Sequence, residues 1–389
     1  MEEDMDAVTA LFMTGKGGGG HLAAAQALQS CVLDNEDSII ECVELVDAGG
    51  LAELAVSEAL PSGDDIYNYF MQIGYYTAAG MLGQVASWGV KWNQAAIEEV
   101  FEEYWCVKRP AIVVSFVPFL NAAMRASLQR VMPSCRFLTV VTDFAHCREH
   151  PWLEPYEKSC GQFLVLGTEL LRKQALQLGW PEHQLLRSSG MVIHPSFYER
   201  LEKPLKTAKP KLLVAFGGYA PSRVAQIAWK CAETHPEVDL IIICGKNQEL
   251  YVQLQDFLEV ADGRHVVEGF ISSEKVRDYM RQAICVLGKA GPGVCAEACA
   301  CQVPLVVERH HVMPQEQAVL QWLQESCCGL VVDSLEQLPA DLAEQAAACR
   351  QALTKLPPND AVFEVADFLQ QLMSEPGPEP VHVNADARD

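Results

Sequence analysis

The feature that most constrains this chain is an alternation of short, unbroken apolar runs with longer stretches of helical spacing. Val8–Met13, Ile39–Leu45, Ala111–Ser115, Phe137–Val141 and Phe163–Leu166 each read as a buried strand, and Leu22–Leu33 as a helix whose Ala23, Ala24, Ala25 and Ala27 permit close packing. Apolar runs without polar alternation belong to strands covered on both faces, which means a parallel sheet with helices front and back. The pattern restarts after Pro204, with strands at Leu212–Phe216, Leu240–Cys244, Val266–Val267, Cys285–Leu287 and Leu305–Val307 and a helix over Ser222–Thr234. Two such arrays flanking a Lys/Pro-rich junction near residues 200–211 predict two α/β domains with a cleft between them. We place them at residues 1–200 and 205–356, followed by a helix at 357–373 and a Pro- and Asp-rich, disordered tail at 374–389.

Composition narrows the function. A net charge of −22 over 389 residues argues against a nucleic-acid surface. The small basic group Lys203, Lys206, Lys209 and Lys211 reads as a solvated linker. No stretch has the roughly 18–20 uninterrupted apolar residues of a membrane span, and the acidic start Met1–Asp6 resembles neither a secretory signal nor a transit peptide. A cytoplasmic or plastid protein is expected. The cysteines, 15 in all, sit mainly in apolar runs and lack paired Cys-x-x-Cys spacing, so we expect reduced core thiols and no metal site. Residues 50–105 interrupt the alternation with a helical segment holding Tyr67, Tyr69, Phe70, Tyr75, Tyr76, Trp88 and Trp92. Such a segment is either core or a surface for an apolar acceptor or membrane interface.

Three loops carry candidate chemistry. Gly15–His21, between the first strand and first helix, places Gly18, Gly19 and Gly20 where backbone can approach a ligand and His21 at a helix start. His21 is either a general base facing the cleft or a solvent-exposed cap residue. A phosphate-binding P-loop does not fit, because the Gly-x-x-x-x-Gly-Lys-Ser/Thr spacing is absent. The second loop, Gly288-Lys289-Ala290-Gly291-Pro292-Gly293, follows a strand and leads into a helix from about Val294, the arrangement that holds a diphosphate at a helix N-terminus. Glu297 is expected in that helix's first turn, binding ribose hydroxyls or complementing the helix dipole. The third is Gln315-Glu316, an amide and a carboxylate able to hold adjacent sugar hydroxyls.

Taken with Thr139–Asp143, Gly190–Phe197, Gly217-Gly218, Cys244–Asn247 and Glu268–Phe270, these stretches resemble glycosyltransferase family 28, and more closely its monogalactosyldiacylglycerol synthase branch. Order and spacing match from about residue 8 to residue 330. The resemblance implies a GT-B fold, two Rossmann-like domains facing across a cleft, and a hexose moved with inversion from a UDP-sugar. It also implies that no metal or other cofactor is required. Gly217, Gly218, Gly245, Lys246, Gly269, Phe270, Lys289, Ala290, Gly291, Pro292, Gly293, Glu297, Gln315 and Glu316 would line the donor site. His21 would act at the acceptor hydroxyl, with Asp143 as its partner or as the alternative base.

The same resemblance implies a lipid acceptor such as diacylglycerol, galactose in preference to glucose, and peripheral membrane contact. A UDP-N-acetylglucosamine transferase and a catalytically silent UDP-sugar-binding protein are the alternatives. The chain departs from the branch in having Lys16-Gly17 before its Gly-Gly-Gly-His, Leu22 directly after it, no His in Ser115–Pro118, and Val319 at a position that is otherwise polar. The first three departures fall on the acceptor side and the fourth on the sugar side.

Overall fold

A computed structural model describes residues 9–15, 19–55, 88–145, 151–157, 161–199, 209–260, 265–310 and 312–375. In the N-terminal half, β1 (Thr9–Thr14), β2 (Cys42–Asp47), β3 (Ile112–Ser115), β4 (Arg136–Val141), β5 (Gln162–Leu166) and β6 (Leu185–Arg187) form one sheet in the order β2-β1-β3-β4-β5-β6. The second sheet, in the order β12-β11-β10-β7-β8-β9, holds β7 (Lys211–Ala215), β8 (Asp239–Ile243), β9 (Val266–Glu268), β10 (Ala283–Gly288), β11 (Leu305–Glu308) and β12 (Gly329–Val332). Every pairing in both sheets is parallel. The fold class expected from the alternation is the one observed.

The strand runs are buried because helices cover both faces. On one face of the first sheet, α1 (Gly20–Leu33) packs with Phe12, Val114 and Leu138. On the other, α2 (Ala48–Glu53), α3 (Gln94–Lys108) and α4 (Asn121–Val131) enclose Leu11, Met13, Phe101, Trp105 and Phe137. Trp105, inside this layer, donates its indole N–H to Ser127 Oγ at 2.9 Å, so its one polar group is satisfied. Part of the aromatic insertion is therefore core. Trp88 and Trp92 are exposed instead, and Tyr67, Tyr69, Phe70, Tyr75 and Tyr76 lie outside the described residues.

The second strand and the last helix are bounded differently from the sequence reading, the helix starting at Ala361 rather than at residue 357. The second strand starts at Cys42 rather than Ile39, because Ser38–Ile40 is engaged elsewhere. Ile39 N–H donates to Gln370 Oε1 at 3.0 Å, and Ser38 Oγ donates to the Ile40 carbonyl. The short strands β6 and β12 had no counterpart in the reading. The last helix, α12 (Ala361–Ser374), returns to the first sheet: Val362, Val365, Leu369 and Leu372 are buried in the same cluster as α1. Residues 200–208 of the junction and 376–389 of the tail lie outside the described residues.

The two halves meet through apolar contact. Phe144, Met191, Ile193 and Phe197 from the first half share a buried cluster with Ile241, Val286 and Leu305 of the second. The loops that follow the carboxyl ends of both sheets thus face one another. In the second sheet the strand order reverses between β7 and β10, and ligands of open α/β sheets bind at such a switch point. The loops leaving those two strands are Gly217-Gly218 and Lys289–Gly293.

Candidate functional site

The N-terminal wall is built where β1 and β4 end. Gly19 caps α1 with a left-handed φ of 76°, and His21, the second helical residue, stands at the helix mouth. Its Nδ1 lies 2.9 Å from Thr142 Oγ1, and its ring meets Trp152 edge-on at 5.5 Å. Burial, and then the positive charge of Lys289, push its pKa down to about 4, so the imidazole is neutral at neutral pH, with one ring nitrogen carrying a free lone pair. Asp143 follows Thr142 in the loop after β4, and its Oδ2 accepts from Trp152 Nε1 at 2.7 Å. Burial pushes its pKa up to about 6. The Trp152 hydrogen bond opposes that rise, Glu316 adds to it, and Lys289 opposes it again. His21 and Asp143 share the cleft through Trp152 rather than by a bond to each other. Gly20 has open space beside it, and Gly18 lies outside the described residues.

The C-terminal wall supplies Lys289 and Glu316. Lys289 leaves β10 between two glycines: a Cβ on Gly291 would stand 3.2 Å from Lys289 Cε, and one on Gly217 3.7 Å. Its Nζ is 3.8 Å from Glu316 Oε1. Glu316 is 1 % exposed, its Oε2 accepts from Met313 N–H at 3.1 Å, and its Oε1 has no hydrogen-bond partner among the described residues. Burial raises its pKa, against the pull of Lys289. Only one carboxylate oxygen of the Gln315-Glu316 pair therefore remains for a sugar hydroxyl. Gln315, in the 3-10 turn Pro314–Glu316, points its amide at Met313 Sδ. The helix α10 (Gln317–Ser326) continues from that turn, with Val319 fully buried.

The helix after the diphosphate loop, α9 (Pro292–Ala300), begins two residues earlier than expected, because Pro292 occupies its first position and Gly291 its cap. Glu297 consequently lies in the second turn, not the first. That weakens the dipole explanation, since the effect fades beyond the first turn. Burial lifts the Glu297 pKa to about 7. The space around Gly293 is open, leaving the helix N-terminus approachable, whereas Ala290 is buried.

Beyond Gly217, the neighbouring loops converge. Gly245, after β8, has a φ of 60°, and a Cβ there would meet Gly218 O at 2.5 Å, so only glycine lets the two loops touch. Gly269 stands next to Gly245, and Phe270 is exposed. The Lys246 ammonium lies 5.4 Å from the Phe270 ring and 5.6 Å from that of Tyr219.

The structure thus gathers His21, Asp143, Lys289 and Glu316 at one place, with the Gly245–Phe270 group at the far side of the switch point. Sequence reasoning missed Trp152, which touches both titratable residues of the first wall, and Tyr219. Gly190–Phe197 proves to be a junction. Met191 O accepts from Asn359 Nδ2, and Tyr198 OH accepts from Ile193 N–H and Val362 N–H. A cavity of about 480 Å³ is lined by Ala145, Gln174, Gln317, Gln321 and Gln324 and by none of the residues gathered above. Among the described residues no group of three or more His, Cys, Asp or Glu side chains is arranged to hold a metal ion, and no helix is long and apolar enough to cross a membrane.

Residues 215–372 match the family model "Glycosyltransferase family 28 C-terminal domain". Over 95 % of its length the chain is 23 % identical to 72 % of a probable monogalactosyldiacylglycerol synthase of Nicotiana tabacum. It is 21 % identical to a processive diacylglycerol beta-glucosyltransferase of Bacillus mycoides, over 84 % of the chain and 82 % of that protein. Against monogalactosyldiacylglycerol synthase 2 of Arabidopsis thaliana the identity is 24 %, over 69 % of the chain and 60 % of the relative. Among solved structures, Arabidopsis thaliana UGT89C1 aligns with a TM-score of 0.59 at 13 % identity, covering 94 % of this chain and 99 % of that one. MurG of Acinetobacter baumannii aligns at 0.53 and 12 %, covering 93 % and 99 %. The fold is that of the GT-B glycosyltransferases.

Proposed function

We propose that this glycosyltransferase of family 28, related to the diacylglycerol glycosyltransferases, transfers a hexose from a UDP-sugar to diacylglycerol or a similar lipid alcohol with inversion at the anomeric carbon. The observation that carries this reading is the meeting of a neutral imidazole and a raised carboxylate on one wall with a lysine and a glycine-rich helix N-terminus on the other. A diphosphate leaving group needs positive potential, and an attacking alcohol needs a base. The two walls carry one each.

In this reading the donor's diphosphate lies over Gly291–Gly293, where unpaired amides of α9 and the Lys289 ammonium offset its charge. The sugar extends toward Glu316 Oε1, the one buried carboxylate oxygen without a hydrogen-bond partner among the described residues, and Glu297 takes the ribose. The acceptor oxygen attacks the anomeric carbon from the face opposite the diphosphate, the bond to the UDP oxygen breaks, and the hydroxyl proton passes to His21 Nε2. This step uses the tautomer in which Nδ1–H donates to Thr142 Oγ1 and Nε2 carries the lone pair. Charge developing on UDP meets fixed donors, which is electrostatic preorganisation. Asp143, held by Trp152, offsets the positive charge that His21 gains.

Galactose follows from the names of the plant relatives, and the Bacillus mycoides relative keeps glucose as the second reading. Exposed Trp88 and Trp92, four residues apart, suit contact with a lipid surface in the cytoplasm or a plastid. The test incubates the purified chain with UDP-galactose, UDP-glucose and UDP-N-acetylglucosamine, each with diacylglycerol. Product is identified by mass, and its anomeric configuration by NMR. A hexosyl-diacylglycerol with inverted configuration supports the reading. Binding of UDP-sugar without turnover of any lipid alcohol refutes it in favour of a silent binding protein.

A further inference from the structure

Lys246 holds a position that its backbone role does not explain. Its N–H donates to Gly218 O at 2.9 Å, and Tyr219 and Gly245 form an isolated antiparallel bridge. On its other side, Asn247 is buried, donates to Ala220 O at 2.8 Å and accepts from Leu250 N–H at 3.0 Å. The backbone is pinned from both sides, and any residue but proline could supply that amide. The side chain is exposed, and among the described residues its ammonium pairs with no carboxylate, in a chain with 51 Asp and Glu against 29 Lys and Arg. It lies instead over two aromatic rings, 5.4 Å from Phe270 and 5.6 Å from Tyr219. Phe270 is 68 % exposed, an open aromatic face next to Gly269. Lys246 thus stands beside both that face and the Gly217-Gly218 loop.

Resting on the donor reading above, we infer that Lys246 determines nucleotide specificity by exchange: its ammonium covers the Phe270 and Tyr219 faces until a nucleobase stacks there, and the displaced ammonium then pairs with the diphosphate. The two events share one side chain. A base alone must displace the ammonium and gains no ion pair. A nucleoside diphosphate displaces it and gives the ammonium a new partner, the Lys246 backbone staying anchored on Gly218. The site therefore favours nucleoside diphosphates over nucleosides through a phosphate contact that only the displaced ammonium makes.

This makes the two ligand classes respond in opposite directions to loss of the charge. The experiment titrates uridine and UDP calorimetrically into the full chain and into Lys246→Met, which keeps the stem and removes the ammonium. Because the side chain is exposed, the fold is expected to persist, and a melting curve checks it. Uridine should bind Lys246→Met about two- to five-fold more tightly, the scale of an exposed cation–π contact. UDP should bind about ten-fold more weakly, the scale of a charge-assisted contact. Lys246→Arg should restore UDP binding without the gain for uridine. Uridine and UDP both weakening in Lys246→Met, or uridine unchanged, overturns the exchange and leaves the donor reading standing. No UDP binding by the wild-type chain overturns both.

Discussion

Replacing Trp152 by Phe tests whether Asp143 works in its ionised form. Trp152 is 2 % exposed, and its Nε1 donates to Asp143 Oδ2 at 2.7 Å. Phe keeps an aromatic ring beside His21 and deletes the donor. A hydrogen bond to a charged group is worth about 1.5–3 kcal/mol. At 1.36 kcal/mol per pKa unit, its loss raises the Asp143 pKa by about one to two units. Starting from about 6, the variant's carboxyl would titrate between about 7 and 8. The sign follows from the direction: a carboxyl with a higher pKa stays protonated to higher pH, so activity that needs the carboxylate appears later as pH rises. His21, with a pKa near 4, is neutral across the whole window and cannot produce that limb. The assay is kcat/KM for UDP release from pH 5 to 10, because that ratio reports groups of the free enzyme. The acid limb should move up by about one to two units, leaving activity at pH 9.5 close to wild type. A limb at the wild-type position, with activity lowered equally at every pH, would refute the role of ionised Asp143 and leave Trp152 as packing.

Other substitutions separate the two walls. His21→Ala should lower kcat by about 100-fold or more, the scale of general base catalysis, with donor affinity unchanged by calorimetry. Unchanged turnover would move the base to Asp143. Lys289→Met should weaken UDP binding about ten-fold or more, as expected for a charge-assisted contact, and should raise both the His21 and the Asp143 pKa, since its charge now depresses both. NMR titration of the His21 ring checks the first shift. Glu297→Ala should raise the donor KM without lowering the melting temperature, because the residue lies beyond the first turn of its helix. Leu369→Ala, in the last helix, should cost about 2–5 kcal/mol of stability, the usual range for a buried leucine, measured by denaturant unfolding.

Much of this architecture was legible because apolar runs and strands coincide wherever a sheet is covered on both faces. Phe137–Val141 and Leu240–Cys244 fall within a residue of β4 and β8. Gly329–Val332 and Leu185–Arg187 escaped, one packed behind a cysteine-rich turn and the other only three residues long, where periodicity carries no signal. The loops that build the site were readable as Gly-rich breaks after strands. Trp152 was not: it lies nine residues past Asp143 in irregular chain, and only the fold turns its N–H back onto the carboxylate. Glu297 was misplaced by one turn because the proline in its loop starts the helix rather than preceding it.

The return of α12 to the first sheet sets the order in which the protein can be completed during synthesis. Val362, Val365, Leu369 and Leu372 fill the face of the first domain beside α1, so that domain cannot close its core when the ribosome finishes residue 199. It must wait for the whole second domain. At roughly 5–20 residues per second, that interval is on the order of 10–30 s, during which Phe12, Leu28 and Val114 belong to an unfinished surface. The second sheet, contiguous from Lys211 to Val332, has no such delay. The half begun first is finished last, and a nascent chain stalled before residue 361 would be a substrate for chaperones in its first domain rather than in its newest one.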